Sequence, residues 1–183
     1  MTRRVVKSEP TDDTFVFDDA WNEPDGRVRR LEFTLGLRSR VPPHAHPATA
    51  ESFEVISGVL NLQIGGRRLK LGPGDKASTS RGEVHSLWNE GPEVAHVISA
   101  YDPPLAVEPF FTAIPRAQAN PFKMAVLWAE SRRVSQPKAI GLRLFIAVFG
   151  ALGRLAGLSG WSRPEPELSA MRRPNPRKTT TGS

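Results

Sequence analysis

Between Arg27 and Tyr101 the chain is written as short apolar alternations, each cut off by a turn signal. Leu31, Phe33, Leu35 and Leu37 alternate, and Phe53 and Val55 alternate before Gly58. Leu60, Leu62 and Ile64 run into Gly65-Gly66, and Leu69 and Leu71 resume beyond it. A period of two puts alternate side chains on one face, so these stretches read as half-buried strands and the glycine pair as a hairpin turn. Gly72-Pro73-Gly74-Asp75 and Gly91-Pro92 are further turns, and Val94, His96, Ile98 and Ala100 alternate after the second. Many short strands at regular spacing predict an antiparallel sandwich or barrel over residues 27–105.

The flanks read differently. Residues 1–26 are polar and acidic, with Phe15, Phe17 and Trp21 as scattered apolar positions, and predict a lead-in arm with room for one edge strand. Past Pro103-Pro104 the spacing becomes helical, so 106–158 reads as a helical extension. Its first helix spans 107–116 and contains Phe110, Phe111 and Ile114. Asn120-Pro121 then supplies an N-cap followed by proline at the first helical position, opening a helix over 122–133. Ser135-Gln136-Pro137 opens a third helix over 138–158. Residues 159–183 hold Pro164, Pro166, Pro174 and Pro176 among Arg, Lys, Thr and Ser. Such a stretch cannot bury enough apolar surface to offset its ordering entropy, so a disordered tail is expected.

Composition excludes several functions. The chain of 183 residues has no cysteine, which removes disulfide scaffolds, thiolate zinc sites and cysteine nucleophiles. The net charge of +6 is unevenly spread: residues 1–115 carry 13 Lys/Arg against 16 Asp/Glu, and 116–183 carry 12 against 3. The basicity belongs to the extension and tail, so it does not signal a nucleic-acid-binding domain, and no nucleic-acid partner is expected. No apolar signal core follows Arg3-Arg4, so a cytoplasmic location is expected.

The chemistry is concentrated in His44-Ala-His46-Pro-Ala-Thr-Ala-Glu51-Ser-Phe53-Glu-Val55-Ile-Ser-Gly58. On an extended strand His44 and His46 share a face, so two imidazoles can aim at one point. Glu51 has the parity of Phe53 and Val55 and faces inward, where a carboxylate needs a partner that a metal ion can supply. His85 follows a turn in Gly82-Glu-Val-His85-Ser-Leu87-Trp88-Asn89. Three imidazoles and one carboxylate suit a first-row transition metal. For His96, the fourth histidine, alternation allows either face, and a core or surface role is expected.

At these residues the chain resembles the cupin superfamily. His44, His46, Glu51 and Gly58 fit the first family motif, H-x-H, three or four residues, Glu, six residues, Gly. Gly74, Asp75, Gly82, His85 and Asn89 fit the second. Two positions depart: Arg38 stands where the family usually has glycine, and Ser80 where it has proline. Both bear on local turns and not on the ligands. The resemblance implies a single cupin-type β-barrel, a jelly roll, with His44, His46, Glu51 and His85 holding one divalent transition metal: Fe, Mn, Ni, Co or Zn. The spacing, with Phe53 two residues after Glu51, is similar to small single-barrel proteins compared with quercetin dioxygenases. In that comparison Glu51 is both ligand and catalytic base. The resemblance also implies a homodimer.

Three functions fit such a site. The first is a dioxygenase-like oxidoreductase acting on a small aromatic or enolic molecule. The second is a non-redox isomerase or cyclase, and the third a ligand-binding or membrane-associated module without turnover. Phe33, Leu35, Phe53, Val55 and Leu87 are candidate lining for an apolar substrate pocket, with core packing as the default. Arg81 and Glu83 are expected on a solvated turn, and Trp88 on the outside. In the third helix Arg143 and Arg154 interrupt the apolar run, which is then too short to span a bilayer. The 138–158 segment reads either as an interfacial amphipathic helix near anionic lipid or as a helix packed on the barrel or a partner, the packed arrangement being expected.

Overall fold

Alternation becomes strand along most of the domain. The computed structural model describes residues 2–8, 11–22, 27–117 and 120–158. Its strands are β1 (Arg3–Ser8), β2 (Asp13–Asp18), β3 (Val28–Leu35), β4 (Arg40–Ala45), β5 (Ala50–Ser57), β6 (Leu60–Ile64), β7 (Arg67–Leu71), β8 (Lys76–Thr79), β9 (His85–Trp88) and β10 (Ala95–Leu105). Helices α1 (Glu108–Ala117) and α2 (Pro121–Glu130), the short strand β11 (Gln136–Pro137) and helix α3 (Ile140–Leu155) come after them. All strand pairs are antiparallel. One sheet has the order β1-β2-β3-β10-β5-β8 and the other β11-β4-β9-β6-β7. Leu31, Phe33, Leu35, Phe53 and Val55 of the first sheet share one core with Leu60, Leu62, Ile64 and Leu87 of the second. This is a mainly β, jelly-roll sandwich. The expected tail, 159–183, lies outside the described residues.

Four local expectations change. The N-terminal segment contributes two strands, β1 and β2, which widen the first sheet. Leu37 lies beyond the end of β3 and is exposed. In β10 the buried set is Ala95, Val97, Ser99 and Tyr101, and the alternating His96, Ile98 and Ala100 are only partly buried. This strand lies between β3 and β5 with apolar side chains on both faces, so counting apolar residues could not choose the inner one. His96 accordingly points outward, its Nε2 3.7 Å from the Glu32 carboxylate. The α2 helix keeps its Asn120 cap, which accepts from the backbone N–H of Phe122 and Lys123, but stops at Glu130, before the arginine pair.

The two departures from the family pattern have physical readings. Arg38 holds the left-handed conformation of a glycine, φ 65°, and its N–H donates to the Asn89 carbonyl. The turn is therefore kept, at a cost of about 1–2 kcal/mol for a residue with a Cβ. Ser80 uses the N–H that a proline would lack, donating to Glu83 Oε2 at 2.9 Å.

The extension closes over the same core. Val107, Phe110, Ala113 and Ala117 of the α1 region pack into it, with Leu127 and Val134. Strand β11 pairs with the outer edge of β4, bringing Pro137 opposite His44. α3 packs on α2, where Gly150 lies against Ala125 and Ala129, and Gly153 against Val126. Among the described residues no helix is long and apolar enough to cross a membrane.

Candidate metal centre

Two of the four candidate ligands come from one sheet, a third lies just past the end of its β4 strand, and the fourth comes from the sheet facing it. His44 lies near the end of β4 and pairs directly with His85 at the start of β9. His46 comes two residues later, on the same inward face. Glu51 reaches in from β5, where Tyr101 stands opposite it on β10. One ligand atom from each of His44, His46, Glu51 and His85 falls within 4.8 Å of every other, and all four residues are buried. These residues could hold one metal ion.

Backbone acceptors fix the imidazoles. The Nδ1 of His44 donates to the Pro42 carbonyl at 2.9 Å, that of His46 to Val134 at 2.5 Å, and that of His85 to Glu83 at 3.0 Å. A carbonyl only accepts, so each Nδ1 carries a proton and each ring turns its Nε2 inward, the nitrogen that is free to bind a metal when unprotonated. The Nε2 of His46 and of His85 lie 2.9 Å and 3.1 Å from the same carboxylate atom, Glu51 Oε2. Lone pairs facing a carboxylate oxygen repel unless a cation or a proton sits between them. The donor set therefore fits a divalent ion in chemistry as well as in position.

The electrostatics agree. Burial, and then the neighbouring His85 and His46, hold His44 down to about 4, so this ring is neutral at pH 7. Burial opposes charge on His46, but the Glu51 carboxylate outweighs it and raises the His46 value. Burial would raise Glu51, yet His46 and His85 outweigh it and keep the carboxyl ionised far below its usual range. Tyr101 is pushed well above 10, first by burial and then by the Glu51 charge, so its phenol stays protonated. Ser99 Oγ donates to Glu51 Oε1 at 2.5 Å, leaving Oε2 for the cluster.

His44, His46 and Glu51 line a cavity of about 290 Å³. Phe33, Leu35, Phe53 and Leu87 line it and also belong to the hydrophobic core. Val55 does not; it lies one pleat further along β5, wholly enclosed in the core. Arg81 is on an exposed turn, while Glu83 is partly buried and caps Ser80. Trp88 is half-buried on the outer face beside Arg40 and Arg68. Sequence reasoning missed Ser99 and Tyr101, because alternation alone left the inward face of β10 open, and Val134, because its carbonyl carries no side-chain signature. It also missed the wall that the extension supplies through Phe110, Phe111, Ile114 and Trp128.

Facing antiparallel sheets around a buried histidine–carboxylate cluster place the molecule among cupin-fold, jelly-roll proteins with a candidate metal centre. Residues 32–101 match the family described as Cupin domain. No curated protein matches the chain. Among solved structures, a predicted oxalate decarboxylase from Thermotoga maritima is similar over 55% of this chain and 91% of that one, at 17% identity and TM-score 0.46. An RmlC-like cupin from Shewanella frigidimarina is similar over 60% and 89%, at 14% identity and TM-score 0.46. The polyketide cyclase RemF from Streptomyces resistomycificus is similar over 56% and 72%, at 24% identity and TM-score 0.43.

Proposed function

We propose that the protein is a metal-dependent, dioxygenase-like oxidoreductase acting on a small apolar molecule that carries a phenolic or enolic oxygen. The observation that carries this reading is the cavity of about 290 Å³, walled mainly by aromatic and aliphatic side chains and reaching His44, His46 and Glu51 of the four-residue cluster. A redox-active divalent ion such as Fe, Mn, Ni or Co, held by those four residues, would supply Lewis acidity toward the substrate oxygen and one-electron chemistry toward dioxygen.

The protein's own residues do the rest. Phe33, Phe53 and Phe111 give a flat apolar substrate contact area and keep water from the reacting end. Glu51 is ionised and faces the cavity, so it can take the proton of an acidic substrate hydroxyl. Tyr101 remains protonated, lines the same cavity and offers a hydrogen bond to an oxygen bearing negative charge.

The test is elemental analysis of protein purified without chelator, followed by oxygen uptake with a panel of flavonols, catechols and 1,3-diketones. A redox metal near one per chain, with uptake abolished in Glu51→Gln, supports the reading. Zinc-loaded protein that converts the same compounds without oxygen overturns it in favour of an isomerase or cyclase. Metal-replete protein that binds them without any product overturns it in favour of a binding module.

A further inference from the structure

The α3 helix is apolar on both sides, and only one side is covered. Its inner face, centred on Ile146, Gly150 and Gly153, packs on α2. The opposite face carries Ile140, Leu144, Val148, Leu152 and Leu155, which are 73%, 62%, 52%, 50% and 85% exposed. At about 100° per residue these side chains span an arc of roughly 120°, with Gly141 and Ala151 inside it and no charge within it. A helix that is hydrophobic all round is normally buried all round. This one leaves a continuous apolar strip open.

Charge says what covers the strip. Arg143 and Arg154, eleven residues apart and therefore nearly in line, run along one border of the apolar arc. With Arg132 they line the cleft between α2 and α3, where Glu130 is the single acid. None of these three arginines forms an ion pair among the described residues. Arg133 and Lys138 are exposed nearby, and residues 116–183 carry 12 Lys/Arg against 3 Asp/Glu. A second copy of the chain fits poorly. Sixteen residues make a strip about 24 Å long and about 10 Å wide, on the order of 250 Å², far below the roughly 800 Å² per partner of a stable interface. Pairing would also bring the cationic borders together.

We propose that α3 docks the protein on an anionic lipid bilayer. The strip enters the headgroup–acyl boundary, and the guanidinium groups of Arg132, Arg143 and Arg154 meet lipid phosphates. The helix lies in the interface and does not span it, since sixteen residues cover only about 24 Å of a hydrocarbon core of about 30 Å.

The test is flotation of the full chain with two kinds of vesicle, alongside light scattering of the protein alone. One is phosphatidylcholine alone, and the other adds about 40 mol% phosphatidylglycerol, enough for a strongly negative surface. Binding to the anionic vesicles should exceed binding to the neutral ones at least tenfold and fall with added salt. Leu144→Asp/Val148→Asp and, separately, Arg143→Glu/Arg154→Glu should each cut it at least tenfold while secondary structure and metal content stay unchanged. Because these side chains are exposed and far from the ligands, metal content distinguishes a failed surface from a failed site. Absence of anionic-vesicle binding overturns the proposal, as does undiminished binding by the Asp pair. A dimer in solution that the Asp pair dissolves overturns it in favour of a second copy.

Discussion

Ser99→Ala removes one oxygen atom from the interior and reports on how the carboxylate is aimed. Ser99 is wholly buried on β10, and its hydroxyl donates to Glu51 Oε1 at 2.5 Å. Glu51 Oε2 is the atom that faces His46 and His85. Losing the donor frees the carboxylate to rotate, and outer partners of this kind are worth about 10–100-fold in metal affinity. Tyr101 keeps its own hydrogen bond to Glu51, so the single variant belongs near the lower end, about tenfold or about 1.4 kcal/mol. Ser99→Ala/Tyr101→Phe then belongs near a hundredfold. A hydrogen bond to an ionised group also contributes about 1.5–3 kcal/mol to stability, so the metal-free variant should unfold earlier. The assay is competition for Zn²⁺ or Co²⁺ against a chromophoric chelator, with Ser86→Ala on β9 as the control. A dissociation constant for Ser99→Ala within twofold of the parent protein, with unchanged far-ultraviolet dichroism, would show that the hydroxyl does not orient the ligand.

Three further outcomes are set by the geometry. In metal-free protein His44 is held down to about 4 from 6.5, so the unfolded chain binds more protons between those values and stability falls as the pH drops through that window. At 1.36 kcal/mol per unit the loss from pH 7 to pH 5 is about 2 kcal/mol. His44→Leu should lose that much less in urea unfolding with chelator present, the opposing contribution of His46 being common to both proteins; equal pH dependence refutes the assignment. Gly58→Ala should lower stability by more than about 2 kcal/mol in thermal unfolding, since φ is 75° and the new Cβ would lie 2.5 Å from the Val94 carbonyl oxygen. An unchanged melting temperature would sink that account. Ile114→Trp, which fills the cavity from α1, should weaken binding of a flavonol-sized ligand more than tenfold and leave metal content intact, measured by titration calorimetry and elemental analysis.

The strands, the hairpin at Gly65-Gly66 and the four ligand positions could be read in the chain because each is a local pattern. Period-two burial places Phe53 and Val55 with Glu51, and an i, i+2 pair places His44 with His46. What stayed hidden was information carried by pairing. Whether β10 turns Ser99 and Tyr101 or His96 and Ile98 inward depends on its central place between β3 and β5, which no window of its own residues contains. The second N-terminal strand was missed for a related reason. β1 shows only the sparse pattern of an edge, and its hold includes the distant Arg4 contacts with Glu108 at 2.5 and 2.9 Å. In α3 the spacing revealed a helix, but apolar residues lie on two opposite faces of it, so only packing against α2 shows which one remains bare.

The ligand set depends in turn on the helical extension. His46 presents Nε2 because Val134, beyond α2, accepts its Nδ1 proton. Val134 is held there by its own N–H bonded to Ser131 and by β11, which adds to the edge of β4 two residues later. One side of α2 lends Trp128 to the cavity wall, while Ala125, Val126 and Ala129 receive α3. The change from strand to helix after Leu105 is thus a change of secondary structure across one continuous core, and the turn after α2 fixes the tautomer of a candidate ligand. Helix α2 therefore lies between the surface proposed to meet lipid and the cavity proposed to receive an apolar molecule.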